Sequence, residues 1–314
     1  MSFKYYSPIG FLSLHPNINI IHFDYRECLE TKFNFEKTQL YNDKTNIIVM
    51  NNHPASIEYF AKNILPFIQY KFIIISFCCD TTFPNECNGW WEEERIKRGN
   101  NYESIINNTH FVHWFATNKI TPNNEKSSYI PYGLCYWILE YFPNWGCPVR
   151  TSKEQDDILC RITDNSLHFS NRIPKIFANW HLNKTDSRHG EFRTHLQNII
   201  PKNIIYYSNQ QSRDSYWEEC SKYAFVVSPH GNGLDCIRTW ESLCLGCIVI
   251  VKKSDIDHLY DELPVLIVND WHDITEELLY KTIDIFSKKQ FNMEKITMKY
   301  WIDKINEKLL YGIS

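Results

Sequence analysis

The sequence predicts an α/β protein of two domains, each a parallel sheet flanked by helices. Three observations carry this. Short runs dense in β-branched and apolar residues recur along the chain: Asn46–Met50, Lys71–Cys79, Tyr223–Val227 and Cys247–Val251. Runs that are apolar at nearly every position suit strands buried on both faces. Segments of helical period stand between them, and strand–helix alternation marks parallel sheets. The rhythm also starts twice, on either side of a stretch between Tyr141 and Ser166 that Pro143, Gly146 and Pro148 interrupt.

In order, Asn46–Met50 (NIIVM) is the first strand. Ala55–Ile68 follows as a helix, with Ile57, Phe60, Ala61, Ile64 and Leu65 on one face. Lys71–Cys79 (KFIIISFCC) is the next strand, ending in the loop Asp80-Thr81-Thr82-Phe83-Pro84. His110–Phe115 is a third strand and Tyr129–Pro131 a short fourth. The second half brings a strand at Lys175–Ala178, a helix at Gly190–Gln197, a strand at Asn203–Tyr207 and a helix at Asp214–Lys222. Then come the strand Tyr223–Val227, the helix Leu234–Leu245, and the strands Cys247–Val251 and Val265–Val268. A last amphipathic helix, about Met293–Leu310, sets Ile296, Tyr300, Trp301, Ile305 and Leu309 on one side. The expected domains, both Rossmann-like, are 1–150 and 151–290. The segment 291–314 carries the helix that packs back across the junction.

Composition narrows the function. The 314 residues are 43% hydrophobic and 22% charged, enough for a sizeable core and unlike a disordered chain. A net charge of −4 with no basic stripe argues against a nucleic-acid partner. Eleven cysteines at irregular spacing do not resemble a disulfide framework and fit a reducing compartment. The opening residues lack signal-peptide character. The longest apolar run, Phe72–Cys79, is far short of the ~20 residues that span a bilayer. The expectation is a soluble, cytoplasmic protein with no integral membrane segment. The sequons at Asn107 and Asn183 carry no weight without a secretion signal. The 10 Trp, 19 Tyr and 19 Phe fill a core first, and can also stack on sugars or bases.

The stretch Tyr223–Val251, YAFVVSPHGNGLDCIRTWESLCLGCIVIV, holds the most information. A strand ends, a Gly-rich turn follows, and a helix begins. Backbone N–H groups at Gly231, Asn232 and Gly233 and the positive end of the helix make a site for phosphate or diphosphate. The turn falls at the carboxyl end of a strand, where open α/β sheets bind ligands. It is neither GxGxxG nor a P-loop, which disfavours a dehydrogenase or an NTPase. Arg238 and Glu241 are three apart and share a helix face, while Ile237, Trp240 and Cys244 take the buried one. Arg238 suits a phosphate and Glu241 suits ribose hydroxyls; the same spacing also makes an ordinary surface ion pair.

The segment Ser228–Val251 resembles the nucleotide-sugar motif of exostosin-type glycosyltransferases and their relatives with the GT-B fold. Their pattern is roughly S-P-R-G-N-G-x-D-x-x-R-x-W-E-A-L-x-L-G-x-I-P-I-V. It is matched at Ser228, Pro229, Gly231, Asn232, Gly233, Asp235, Arg238, Trp240, Glu241, Leu243, Leu245, Gly246, Ile248, Ile250 and Val251. The chain departs from it at His230, where Arg is usual, and at Val249, where Pro is usual. Shorter stretches agree in order and spacing: Phe77–Pro84, Trp114–Asn118, Ile130–Leu134 and Phe177–Arg188.

The resemblance implies two Rossmann-like domains facing a central cleft, the donor mainly on the C-terminal one and the acceptor mainly on the N-terminal one. It implies transfer of a sugar from a nucleotide sugar, UDP-linked by family habit, to the hydroxyl of a glycan or another acceptor. The expected reaction is inverting and independent of metal, with no cofactor, since helix dipole and basic residues stabilise the leaving diphosphate. No D-x-D stands at a strand end; Asp255-Ile256-Asp257 has the spacing but follows two lysines. A chain of this kind without an anchor suggests a cytosolic system, bacterial or viral in character.

On this reading Ser228, His230, Gly231, Asn232 and Gly233 cradle the diphosphate, Arg238 neutralises it and Glu241 binds ribose. Arg188 is a second phosphate contact or a solvated loop residue, with Arg193 held in reserve. For the base that activates the acceptor, Asp80 at the end of a buried strand competes with His53 at the end of another, and either is also suited to capping a loop. Trp90 and Trp91 belong to the core or stack on an acceptor sugar. Cys244 and Cys247 have CxxC spacing with no second pair, so they are expected to be structural. The rival function is a catalytically inactive relative that binds nucleotide or glycan. A Rossmann-type methyltransferase or epimerase would need a Gly-rich turn after its first strand, and residues 1–60 contain only Gly10.

Overall fold

A computed structural model describes residues 3–8, 10–11, 46–77, 79–136, 150–179, 188–189, 193–208 and 212–311. Pro143, Gly146 and Pro148, the sequon at Asn183, Cys78, Gly190 and residues 180–187 of the Phe177–Arg188 stretch lie outside them. The chain is α/β with two sheets, every strand pair parallel.

One compact unit comprises Phe11–Tyr132 and Trp301–Ser314. Its sheet runs in the order β1 (Asn46–Asn51), β2 (Phe72–Phe77), β3 (Phe111–Ala116), β4 (Ser127–Tyr129). All six residues of β2 are buried, which explains its apolar run. Helix α1 (Pro54–Tyr59) starts with His53 as its N-cap and Pro54 in its first turn. The single helix expected over Ala55–Ile68 is broken. It passes into a π-helical turn at Phe60–Ile64 and a 3-10 turn at Leu65–Phe67, because Pro66 has no N–H to donate and its ring crowds the preceding turn. The predicted face still holds: Ile57, Phe60, Ile64 and Leu65 pack on Ile48, Phe72, Ile74 and Trp114. Two short helices, α2 (Glu92–Arg98) and α3 (Asn101–Ile106), are additions to the sequence reading. α2 buries no residue, so it has no apolar period to detect. Its Glu92–Glu94 start and Arg95, Lys97 and Arg98 end follow the helix dipole instead.

His113 on β3 is wholly buried. Its Nδ1–H donates to the Glu125 carbonyl at 2.8 Å, and Nε2 accepts from Ser128 Oγ at 2.9 Å. Burial outweighs the Glu125 contact and pushes the imidazole down from 6.5 to about 4. Between those values the unfolded chain takes up a proton that the folded chain refuses. Stability is therefore intact above pH 6.5 and lost as pH falls toward 4, by about 3 kcal/mol from this residue. Urea unfolding across that window should show the loss, and His113→Asn should flatten it. An equally steep profile in the variant rules His113 out as the source.

The other unit comprises Met1–Gly10 and Gly133–Tyr300. It contains β5 (Ile173–Ala178), β6 (Ile205–Tyr207), β7 (Tyr223–Val227), β8 (Ile248–Lys252) and β9 (Val265–Val268). Their order is β6-β5-β7-β8-β9. The first strand of this sheet thus lies between the second and third, and the direction of winding reverses between β5 and β7. Such a reversal opens a crevice outside the carboxyl ends of the two strands. Buried residues of β5, β7 and β8 form one core with Leu196, Trp271 and Leu279.

Helix α4 (Ser152–Asp164) fills part of the stretch read as an interdomain break. Thr151 and Glu154 form a capping box at its start. Its buried face includes Gln155 and Asp156 beside Leu159 and Ile162, so polar residues mask the period. Asp156 fixes the chain's first residues to this unit: it accepts from Lys4 N at 3.0 Å and Tyr136 Oη at 3.0 Å. Tyr6 adds a pair of backbone bonds, to Ile296 and from Leu134. Gly133 permits the close approach; its φ is +68°, and an added Cβ would stand 2.5 Å from the Tyr6 ring. The compact units therefore divide at 10/11, 132/133 and 300/301, where the sequence reading placed limits at 150 and 290.

The remaining helices are α5 (Arg193–Ile199), α6 (Arg213–Cys220), α7 (Ile237–Cys244), α8 (Glu276–Ser287) and α9 (Met298–Tyr311). α8 is another addition. α9 begins after a separate 3-10 turn at Met293–Ile296, so the long helix expected there is two pieces. The unit boundary falls inside α9. Beyond it Trp301 and Ile305 are buried, and the Trp301 ring meets Tyr129 of β4 at 5.9 Å. No helix among the described residues is long and apolar enough to cross a membrane.

Candidate functional site

Strand β7 is buried along its whole length and emerges at the crevice between β5 and β7. The turn that follows is braced from beneath. Ser228 N donates to Ile250 O at 2.9 Å, extending the ladder by one residue. Thr239 Oγ1 donates to Ser228 Oγ at 2.9 Å and Trp240 Nε1 to Asp235 Oδ1 at 2.7 Å, so the first turn of α7 holds the loop that precedes it. His230 has Nδ1 at 2.8 Å from Leu234 O and Nε2 at 3.1 Å from Lys252 O. Both ring nitrogens thus face carbonyls, one of the turn and one of β8. Gly231 N donates to Gly233 O at 3.1 Å, while Asn232 is exposed at the tip. α7 starts at Ile237, later than expected, because Cys236 is still extended.

Two guanidinium groups meet beside this turn. Arg238 Nη2 donates to Asn179 O at 3.3 Å, just past the end of β5. Arg193, the first residue of α5, brings Nη2 to 3.4 Å from where a Cβ on Gly231 would stand. Burial first, and then the charge of Arg238, draws Arg193 below its ordinary value. Two cations that disfavour one another at a strand end, beside a helix N-terminus, are relieved by an anion. Arg188 is exposed; its neighbour His189 donates its N–H to Gly231 O at 3.2 Å, which ties that loop to the turn. The reserve arginine of the sequence reading therefore lies in the constellation, with Arg188 at its edge.

Glu241 is only 7% exposed. It pairs not with Arg238 but with Arg213, whose Nε donates to Oε1 at 2.9 Å and whose Nη2 donates to the same oxygen. Burial pulls the Arg213 guanidinium down, but Glu241 outweighs it and holds it above its ordinary value. Arg213 also donates to Gln155 Oε1 at 3.3 Å and Cys135 O at 3.4 Å, and lies over the Trp217 ring at 4.8 Å. Sequence reasoning missed Arg213. One signal was available: it opens a helix behind the Ser212 cap, where the dipole disfavours a cation.

Asp80 and His53 belong to the other unit, past the carboxyl ends of β2 and β1. His53 Nδ1 accepts from Ala55 N at 3.1 Å, so the ring hydrogen is on Nε2. In that tautomer His53 becomes a base only by giving up its cap. Its ring packs edge-on against Trp90 at 4.9 Å, and Trp90 Nε1 donates to Thr81 Oγ1 at 3.0 Å. Trp91 is 60% exposed, which sets aside the core role for that ring. Asp80 is half-buried, between Cys79 and Thr81, whose carbonyls accept from Asn118 Nδ2 at 3.0 Å and Asn52 Nδ2 at 3.1 Å.

Asp257 of the Asp255-Ile256-Asp257 run accepts from Ser254 N at 3.0 Å, a local cap. Among the described residues no cluster of three or more His, Cys, Asp or Glu side chains is suited to a metal ion.

No family model and no curated protein matches this chain. Among solved structures, it is similar to a UDP-forming α,α-trehalose-phosphate synthase from Burkholderia xenovorans, with 8% identity and a TM-score of 0.45 over 98% of this chain and 79% of that one. It is also similar to a sucrose-phosphate synthase from Thermosynechococcus elongatus, with 11% identity and a TM-score of 0.37 over 85% and 74%.

Proposed function

We propose that this chain is a GT-B glycosyltransferase of exostosin-like kind that moves a sugar from a nucleotide sugar, UDP-linked for preference, to an acceptor hydroxyl on a glycan or other molecule. The observation that carries it is the convergence of Arg193 and Arg238 on the Gly231 turn at the β5–β7 crevice. The donor diphosphate lies against Gly231, Asn232 and Gly233 and between the two guanidiniums, with Arg188 at the rim. Glu241, fixed by Arg213, receives the ribose hydroxyls. Asp80 takes the proton of the acceptor hydroxyl as its oxygen bonds to the anomeric carbon. The bond from that carbon to the diphosphate breaks on the opposite face, so configuration inverts. Charge growing on the leaving oxygen is met by Arg193, Arg238 and the start of α7, in the role a metal fills elsewhere. The reaction is placed in the cytoplasm, the host's if the chain is viral.

A thermal-shift screen of UDP, GDP, CMP and ADP and their sugars, with EDTA present, tests the donor site. A ligand at 100 times its Kd adds about 2.7 kcal/mol of stability. A shift with one nucleotide class is expected, weakened about 10–100-fold in affinity by Arg238→Ala or by Arg193→Ala, since each removes charged hydrogen bonds. A folded parent that responds to none of these ligands, or variants that bind as the parent does, overturns the assignment.

A further inference from the structure

Away from the Gly231 turn, the spacing that suggested a Cys244–Cys247 pair has a different outcome in the fold. Cys247 lies just before β8 and Cys220 is the last residue of α6. Both are fully buried, and their sulfurs stand 4.0 Å apart. As a thiol, Cys247 Sγ donates to Cys220 O and Tyr223 O, at 3.7 and 3.6 Å. Arg172 Nη1 reaches the same sulfur at 3.4 Å. That guanidinium is locked by bonds to Leu167 O at 2.7 Å and Leu245 O at 2.8 Å. Gly246 makes room for it: its φ is +76°, and an added Cβ would stand 2.9 Å from Arg172 Nη2. Arg172 lines an open cavity of about 580 Å³ together with Arg161, Asn171, Ile173, Ser221 and Lys222. A cation on one sulfur and a thiol in contact with it are two parts of a redox pair, and an open recess reaches that cation.

We infer that Cys220 and Cys247 are a reversible disulfide site, with Cys247 the thiol that reacts and Cys220 the one that resolves, and with a hydroperoxide as oxidant. Cys247 thiolate attacks the outer peroxide oxygen. The O–O bond breaks, the outer oxygen stays on sulfur as the sulfenic acid, and the other oxygen leaves as alcohol or water with the proton that the Cys247 thiol gave up. The Cys220 sulfur then bonds to the Cys247 sulfur, the S–O bond breaks, and water leaves with the Cys220 proton. Two thiols are oxidised and one peroxide is reduced. The Cys220 contact first, and then Arg172, hold the Cys247 thiol below its ordinary value against its own burial, whereas burial pushes Cys220 up. The bond would join the end of α6 to the start of β8, across the strand that feeds the Gly231 turn. The site is independent of the proposed transfer reaction.

The test is made on the full native chain. It is treated with hydrogen peroxide, quenched, unfolded with N-ethylmaleimide and mapped by mass spectrometry. A peptide linking Cys220 to Cys247 is expected, lost again on dithiothreitol. Cys220→Ser should abolish the link and leave Cys247 as a sulfenic acid that dimedone captures; Cys247→Ser should give neither product. Because the wild-type map decides by itself, poor folding of a variant does not shelter the idea. Cys220 and Cys247 both recovered as maleimide adducts, a link from either to another cysteine, a link formed only in the unfolded chain, or dimedone on Cys220 instead would each overturn it.

Discussion

An Asp80→Asn protein is expected to bind nucleotide sugar with the parent's affinity and to transfer sugar about 10²–10⁴-fold more slowly, the range that one general base supplies. The geometry behind this is a carboxylate on a stiff mount. β2 is buried at all six positions, and the carbonyls of the residues on either side of Asp80, Cys79 and Thr81, accept from Asn118 and Asn52. Such pinning keeps a base within reach of a bound hydroxyl without loss of order on each turnover. His53 should behave differently. Its Nδ1 caps α1, so His53→Ala costs about 1 kcal/mol of stability with a smaller effect on rate. Single-turnover transfer, with donor binding measured in parallel, separates the two. Full transfer by Asp80→Asn removes Asp80 as base; a His53 variant that binds donor but does not transfer moves the role there.

Arg213→Met is expected to destabilise the protein by about 3–5 kcal/mol, as happens when one partner of a buried ion pair is removed. Glu241 would remain a nearly buried carboxylate without its counter-charge. Adding Glu241→Gln should restore much of the loss, because a neutral amide avoids the stranded charge. Denaturant midpoints of the two single variants and the double variant measure the coupling. A cost below about 1 kcal/mol for Arg213→Met would place the pair among exposed ion pairs of little weight. The double variant is also informative on donor binding: regained stability without regained affinity shows that the carboxylate itself is needed.

The elements most legible in the sequence are the apolar runs of the sheets. β1, β2, β7 and β8, buried at all or nearly all positions, lie within one or two residues of their runs, and so does the more open β9. Short β4 lies at Ser127–Tyr129, two residues before its expected place, because Tyr129–Pro131 includes a residue that cannot donate to a ladder. Helices α2 and α4 escaped because α2 buries nothing and α4 buries Gln155 and Asp156. At the candidate site, the Gly231 turn and Arg238 were legible because strand, turn and helix adjoin in the chain. The partner of Glu241 was not, since it sits 28 residues away on another helix. Yet Arg213 opens a helix, against the local dipole, and proves to face a long-range partner, Glu241. A residue that violates its local preference is a pointer to what the tertiary structure asks of it. The same reasoning fails for Cys247, whose neighbour in sequence spacing is not its neighbour in space.

The division of the chain at 10/11, 132/133 and 300/301 bears on synthesis. The backbone of Lys4 waits for Asp156, 152 residues later, before it finds its acceptor. The unit with the first sheet likewise lacks Trp301 and Ile305 until α9 has been made, long after its own last strand. Neither unit is finished when its last strand leaves the ribosome, so an early-folding half followed by a late one is not the natural order here. An expression strategy that cuts the gene at the middle would sever both units rather than free either.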